Sequence, residues 1–351
     1  MRSIKYVASS IEYVALAFSM AVLLFPALAS AQQPVRIAQG FSSLSFLPLW
    51  AARALNTFGS EGLTGTVLNS PGGDPSALAA LDAGDADLAA VGTETVLRAV
   101  AKGQPFQIVY SLMSKVTIEI VVSPSFLEKT GVKPGDPLEK RIAALKGAIV
   151  GVAAVGGTQE TATRWLVAKG GLDPKTDIKI AQVGGPVALQ AALENKRIDA
   201  FALSPPEGYL ATKSGAGTIL ISLGDDFPLL ARQPYLVLVA KKPIDDKASD
   251  LIVKTVRAMQ AASTALVTDP EPTALSIQKQ FYAKADPAAI IAAIKSMNSG
   301  VADGGKLDVA AFQNQLVFSR EVGTNFGKDF DAAASQNDLW TNTYVERAAR
   351  K

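Results

Sequence analysis

Short apolar runs separated by turn residues and by alanine- and leucine-rich stretches set the rhythm of this chain. Runs such as "VRIAQ", "TGTVLNS", "LAAV" and "FQIVYSL" have the length and β-branched content of buried strands. So do "TIEIVVS", "AIVGVAA", "DIKIAQV", "AFAL", "GTILIS" and "YLVLVA". Between them the spacing predicts helices after Pro48, from Thr93, from Thr158 and from Pro206. Beyond Lys247 the pattern changes to helix after helix. Ile252, Val256, Met259, Ala262 and Leu266 form one apolar stripe that ends at "TDP". Further helices are predicted at 272–282, 287–297 and 308–320, and the Pro/Gly-rich segment 131–141 is read as a polar loop.

One segment occurs twice. "GGDPSALAALDAGDADLAAVG" (72–92) aligns without a gap on "GGPVALQAALENKRIDAFALS" (184–204). Gly72/Gly184, Gly73/Gly185, Leu81/Leu193 and Asp87/Asp199 are among the identical pairs. Each copy reads as a Gly-Gly turn, a helix with Leu78 and Leu81 or Leu189 and Leu193 on one face, and a buried strand. Gly84 stands where a helix C-cap is wanted. An apolar strand precedes each copy, so the unit is β-turn-α-β, the right-handed crossover of parallel sheets. Two copies imply two α/β lobes of related architecture.

The amino terminus has another purpose. Arg2 and Lys5 form a basic start, Val14 to Leu28 is apolar, and "ALASA" offers small residues at Ala29 and Ala31. This predicts a secretory signal peptide over 1–31 with cleavage after Ala31, and therefore a periplasmic protein. The apolar run is too short for a membrane span and is interrupted by Pro26. No later segment is long and apolar enough to span, so a soluble mature protein is expected.

With 34 basic and 32 acidic side chains the charge is balanced, which argues against nucleic-acid or polybasic membrane binding. There is no cysteine, hence no disulfide and no thiol for lipid attachment. There is also no histidine, which removes the imidazole general base, the Ser-His-Asp triad and the usual zinc ligand sets. No enzymatic role, cofactor or metal is expected.

Several stretches together carry a family likeness: "RIAQGFSSLSFLPLWAA", "PGGDPSALAALDAGDADLAAVGTE", "LKGAIVGVAAVGGTQETATRWLVAKGGLDP", "ALQAALENKRIDAFALSPP" and "LWTNTYVERA". In this order they resemble the periplasmic substrate-binding proteins of ABC importers, in the nitrate/sulfonate/taurine group that includes thiamine-pyrimidine-precursor binders. The resemblance implies a two-lobed α/β fold of the type II periplasmic-binding-protein kind. It has two βαβ lobes joined by two crossing strands, and extra C-terminal helices that return to lobe one. With crossings placed near Ser111-Leu112 and Ile221-Ser222, lobe one is expected at 32–112 and 222–351 and lobe two at 113–221. The implied partners are a small-molecule ligand and an ABC permease with its ATPase, and the protein is expected to be a monomer. Many relatives carry Trp-Glu-Pro where this chain has Ser204-Pro205-Pro206. Family enzymes that make the thiamine pyrimidine depend on a histidine that is absent here.

In α/β sheets ligands bind beyond the carboxyl ends of the strands, where helix starts present unpaired N–H groups. The candidate rim in lobe one is 40–46, 72–74 and 92–95, with Ser42, Ser43, Leu44, Phe46, Gly73, Asp74, Thr93 and Glu94 as contacts. In lobe two it is Gly157, Thr158, Gln159, Pro206 and Glu207, with Thr158 as N-cap. Glu160 is read as favouring its helix start, Trp50 and Trp165 as packing residues, and Lys115 as a solvated lysine. The helix-start donors lean towards a small organic anion such as a sulfonate or carboxylate. None of these rim stretches contains lysine or arginine and three contain acids, so an uncharged or amine-bearing heterocycle stays open.

Overall fold

The computed structural model describes residues 32–350 apart from 71, 302, 325–330, 332 and 334. The expected signal peptide lies outside the described residues. The strands are β1 (Gln33–Gln39), β2 (Leu63–Asn69), β3 (Leu88–Gly92), β4 (Phe106–Met113), β5 (Glu119–Val122), β6 (Ile149–Val152), β7 (Lys179–Gln182), β8 (Ala200–Leu203), β9 (Thr218–Ser222) and β10 (Leu236–Lys241). Each falls on an apolar run singled out in the sequence. The principal helices are α1 (Leu47–Ala54), α2 (Asp74–Ala83), α3 (Thr93–Val100), α4 (Pro124–Thr130), α5 (Leu138–Ala143), α6 (Thr158–Lys169), α7 (Pro186–Glu194) and α8 (Glu207–Ser214). They continue as α9 (Asp246–Thr268), α10 (Pro270–Phe281), α11 (Pro287–Met297), α12 (Val309–Glu321) and α13 (Thr343–Ala349). Single helical turns occur at Thr57–Ser60, Leu223–Asp226 and Pro228–Ala231.

One expectation needs correcting. The segment 131–141 is not loop throughout, because Pro137 sets the entry to α5 and Leu138–Ala143 is helical. Ile142 on that helix is buried and packs against Gly170, at a distance no larger residue there would allow.

The strands form two five-stranded sheets, ordered β2-β1-β3-β10-β4 and β7-β6-β8-β5-β9. β1 pairs parallel with β3, and β6 pairs parallel with both β7 and β8. Each sheet also contains one reversed strand, β10 in the first and β5 in the second. The reason is geometric. Residues 114–118 carry the chain from the end of β4 to the start of β5, and residues 223–235 carry it back from β9 to β10. A strand that enters a sheet directly from a crossing starts at the edge where its neighbours finish, so it runs against them.

The repeated segment has the same structural job twice. The main chain of Asp87 donates to the Arg36 carbonyl at 2.9 Å, and its carboxylate accepts the Arg36 N–H at 2.8 Å. Asp199 makes the same pair of bonds with Ile149, at 2.9 and 2.8 Å. Each aspartate thus locks the entry of one parallel strand to that of its neighbour. Leu78 and Leu81, like Leu189 and Leu193, are buried beneath their helices, and Gly84 closes α2 in the left-handed conformation. A continuous apolar cluster runs from Val35 and Ile37 through Met113, Val116 and Ile118 to Ile120 and Val150, so the first crossing is itself part of the core. Among the described residues no helix is long and apolar enough to cross a membrane.

Candidate functional site

The strand registers place one edge of each sheet next to the crossings. In the first sheet Gly92 and Met113 both lie opposite Leu236, and β1 ends nearby at Gln39. In the second, Leu203 and Ser222 both lie opposite Glu119. A link of five residues, 114–118, spans at most about 20 Å when extended. The carboxyl edges of the parallel strands therefore lie close on either side of the crossing chain.

A string of hydroxyl groups joins the two edges. The Ser43 and Ser45 hydroxyls are 3.1 Å apart, Ser45 is 2.8 Å from Thr117, and Thr117 donates to Ser204 at 3.0 Å. Tyr235, on the returning segment, also hydrogen-bonds Ser204. Ser45 follows β1, Thr117 is in the first crossing, Ser204 follows β8 and Tyr235 precedes β10. Trp50 fixes the start of the string by donating its indole N–H to the Ser43 carbonyl at 2.6 Å.

Carboxyl groups flank this string. Asp74, at the start of α2, is only 7% exposed. Its Oδ2 accepts the Gly92 N–H at 3.0 Å and the Thr95 hydroxyl at 3.2 Å, while Oδ1 is buried with no partner. The carboxylate is wedged against the ends of β1 and β3, and a Cβ on Gly40 would fall 1.8 Å from Oδ1. Burial lifts this carboxyl to about 6, against the opposing pull of Gly92 and Thr95.

Glu119, 3% exposed, lies at the first position of β5 with Oε2 unpartnered and pressed against Gly208. Burial, then the neighbouring Glu207 and Asp225, raise its pKa well above the usual carboxyl range, with Lys115 pulling the other way. Glu207, at the start of α8, is pushed up to about 7 by burial. The one ammonium here, Lys115, is buried, not solvated as expected. Gly224 and Gly300 pack against its stem, and it pairs with Asp225 and donates to the Ser296 carbonyl.

The remaining sequence-predicted residues fall into distinct places. Leu44 and Phe46 are fully buried, and Phe46 meets Phe41 edge to face at 5.1 Å; Ser42 is exposed. Gly73 takes a positive φ of 74° at the turn into α2. Thr93 donates to the Pro234 carbonyl, tying β3 to the returning crossing. The Glu94 carboxylate accepts from Arg98 at 2.9 Å and from Ser319 and Thr324, so it binds α3 to α12.

Gly157, not Thr158, is the N-cap of α6, and Thr158 and Gln159 are the first helical residues. The capping work falls to Glu160, which accepts the Gly156 N–H at 2.7 Å and pairs with Arg164. Pro206 is buried beside Glu207. Trp50 packs against Phe281 and Tyr282, and Trp165 against Phe227 and Phe318. Sequence reasoning passed over Thr117, Glu119, Gln233, Tyr235 and Tyr282. For Glu119 a signal existed, since it is the one charged residue in the apolar run "VTIEIVV".

The sequence model of the NMT1-like family matches residues 30–278. A binding protein of Bacillus subtilis (strain 168), YtlA, is 25% identical over 229 residues, 65% of this chain and 64% of that one, so the match spans less than two thirds of YtlA. A solved structure from Bordetella bronchiseptica RB50 is similar with a TM-score of 0.71 and 26% identity, covering 91% of this chain and 98% of that one. The ligand-binding component of an ABC-type import system from Staphylococcus aureus is similar at TM-score 0.67 and 17% identity, covering 91% and 100%. The periplasmic nitrate-binding protein NrtA of Synechocystis PCC 6803 is similar at 0.68 and 17%, covering 91% and 88%. These neighbours have the periplasmic-binding-protein fold, in agreement with the two mixed sheets described above. With most of its length matched by the family model, the chain belongs to the NMT1-like family.

Proposed function

We propose that this protein is the extracytoplasmic solute-binding component of an ABC-type importer. It captures one small molecule between two lobes, 32–112 with 222–351 and 113–221, and presents the closed form to a permease with its ATPase. The observation that carries this reading is the hydroxyl string from Ser43 through Thr117 to Ser204 and Tyr235, which links both strand-end edges through the crossing segments. A solute placed between the edges would touch both lobes only when they are together, which is the condition for closure on binding. The kinship with YtlA and with import-system binding components supports the assignment.

The proposed contacts are Ser43, Asp74, Thr117, Ser204, Glu207 and Tyr235. The N–H groups at the starts of α2, α6 and α8 are the feature on the side of an anion such as a sulfonate or carboxylate, and Asp74 and Glu207, which occupy two of those starts, oppose it. The test is a thermal-shift screen of the mature chain against sulfonates, carboxylates, nitrate, pyrimidines and amines. A solute at 100 times its dissociation constant adds about 2.7 kcal/mol, a rise in midpoint of roughly 2–4 °C. Absence of any shift across the screen would contradict the reading.

A further inference from the structure

Building on that reading, we propose that the cleft selects a solute presenting a protonated or hydrogen-bond-donating nitrogen, such as an amine or amidine, over a sulfonate or carboxylate of the same shape. Two kinds of observation point the same way. The first is charge. Asp74, Glu119 and Glu207 flank the hydroxyl string, and the single buried ammonium near them, Lys115, is engaged by Asp225 and the Ser296 carbonyl. The second is hydrogen-bond capacity, which is independent of charge. The Gln233 amide oxygen is buried without a partner, as are Asp74 Oδ1 and Glu119 Oε2. Against these acceptors the orphan donors near the strand ends are Gln39 Nε2 and the Ser111 hydroxyl, which can also accept.

Buried acceptors left unpaired are costly and rare in native proteins. Their concentration beside the crossing segments is accounted for if a donor arrives from outside. An incoming anion would meet acids and acceptors without a counter-charge and would relieve none of the unpaired acceptors. An ammonium or amidinium supplies the donors that such acceptors lack and compensates the charge of an acid beside it. The aromatic side chains nearby suit the same guest: Tyr235 faces Asp74, and Tyr282 faces Glu207.

The carboxyls also fix the pH response. Glu119 faces Glu207, Asp225, Lys115 and Tyr209; Glu207 faces Glu119 and Tyr282; Asp74 faces Tyr235, Thr95 and the Gly92 N–H. As pH falls through about 6 to 7 Asp74 and Glu207 take up protons and lose their attraction for a cation, so amine affinity declines.

The experiment uses matched probes on two scaffolds: 3-(aminomethyl)pyridine, pyridine-3-carboxylate and pyridine-3-sulfonate, and propylamine, butyrate and propane-1-sulfonate. Thermal shift and calorimetry are run on the mature chain near pH ~8 and ~5.5. The amine of at least one scaffold is expected to bind at least about tenfold more tightly than both its anionic counterparts, and to weaken at the lower pH. Glu119→Gln and Asp74→Asn are each expected to weaken the amine by about tenfold or more. The second variant, whose fold is expected to be stabilised, keeps the test decisive if the first is unstable. Tighter binding of the sulfonate or carboxylate, or affinity that rises on acidification, overturns the inference and leaves the solute-binding function standing. No binding by any probe overturns the inference; no shift in the wider screen as well overturns the binding function too.

Discussion

The two copies of the β-turn-α-β unit share a scaffold and differ in chemistry. Asp87 and Asp199 make the same two bonds to the neighbouring strand, to Arg36 and to Ile149. At the opposite end of the unit the copies part. The first helix starts with Asp74, whose carboxylate is buried against Gly40 and Gly92; the second starts with Pro186, which is exposed. Around the second sheet the acids come from elsewhere, the buried Glu119 on β5 and the half-buried Glu207 on α8. Repetition therefore governs how each sheet is built, and the chemistry at the strand ends is set independently of it.

The sharpest test of that difference is Asp74→Asn. The unfolded carboxyl titrates near 3.8 and the folded one near 6. Between those values the native state binds more protons, so stability falls as pH rises, and the penalty is fully present above pH 6. Removing the charge is expected to raise stability by up to about 3 kcal/mol near pH 8 and by little below pH 4. Urea unfolding at the two pH values measures this, and an equal effect at both would contradict the burial account.

Gly40→Ala should follow in size. Its Cβ would collide with Asp74, for a loss of about 1–3 kcal/mol. Gly185→Ala, at the turn of the second copy, has an ordinary φ of −69° and open space, so it should stay within about 0.5 kcal/mol of the parent. Comparable losses in the two variants would show that the two turns are equally crowded, against the structure. Asp87→Ala and Asp199→Ala each free one strand-entry N–H, at about 1–2 kcal/mol, and Asp87→Ala also loses the partly exposed pairing with the Arg36 guanidinium, so it is expected to cost up to about 1 kcal/mol more. A greater loss for Asp199→Ala than for Asp87→Ala, read from the unfolding midpoints, would contradict the shared role of the two clamps.

The smallest expected loss of a side-chain interaction belongs to Lys169→Met, which removes the exposed ion pair between α6 and Glu321. A change of no more than about 1 kcal/mol is expected, diminishing in high salt. A larger loss in the unfolding midpoint would give this contact a structural weight that its exposure does not suggest.

The order of strands and helices, the repeated unit and its paired aspartates were all readable along the chain, because hydrophobic periodicity and turn chemistry act over a few residues. The reversal of β5 and β10 was not, since it depends on which edge the chain crosses from. Lys115 looked like a surface lysine until Gly224 and Gly300 closed over it, from positions 109 and 185 residues away. Asp74 and Glu207 were recognised as helix-start acids, but their burial, and the alignment of Thr117, Ser204 and Tyr235 between them, required the strand ends to be brought together. Local pattern determines which segments become buried strands and helices. The company kept by a polar side chain at a strand end is decided by residues far along the chain, and only the tertiary structure supplies them.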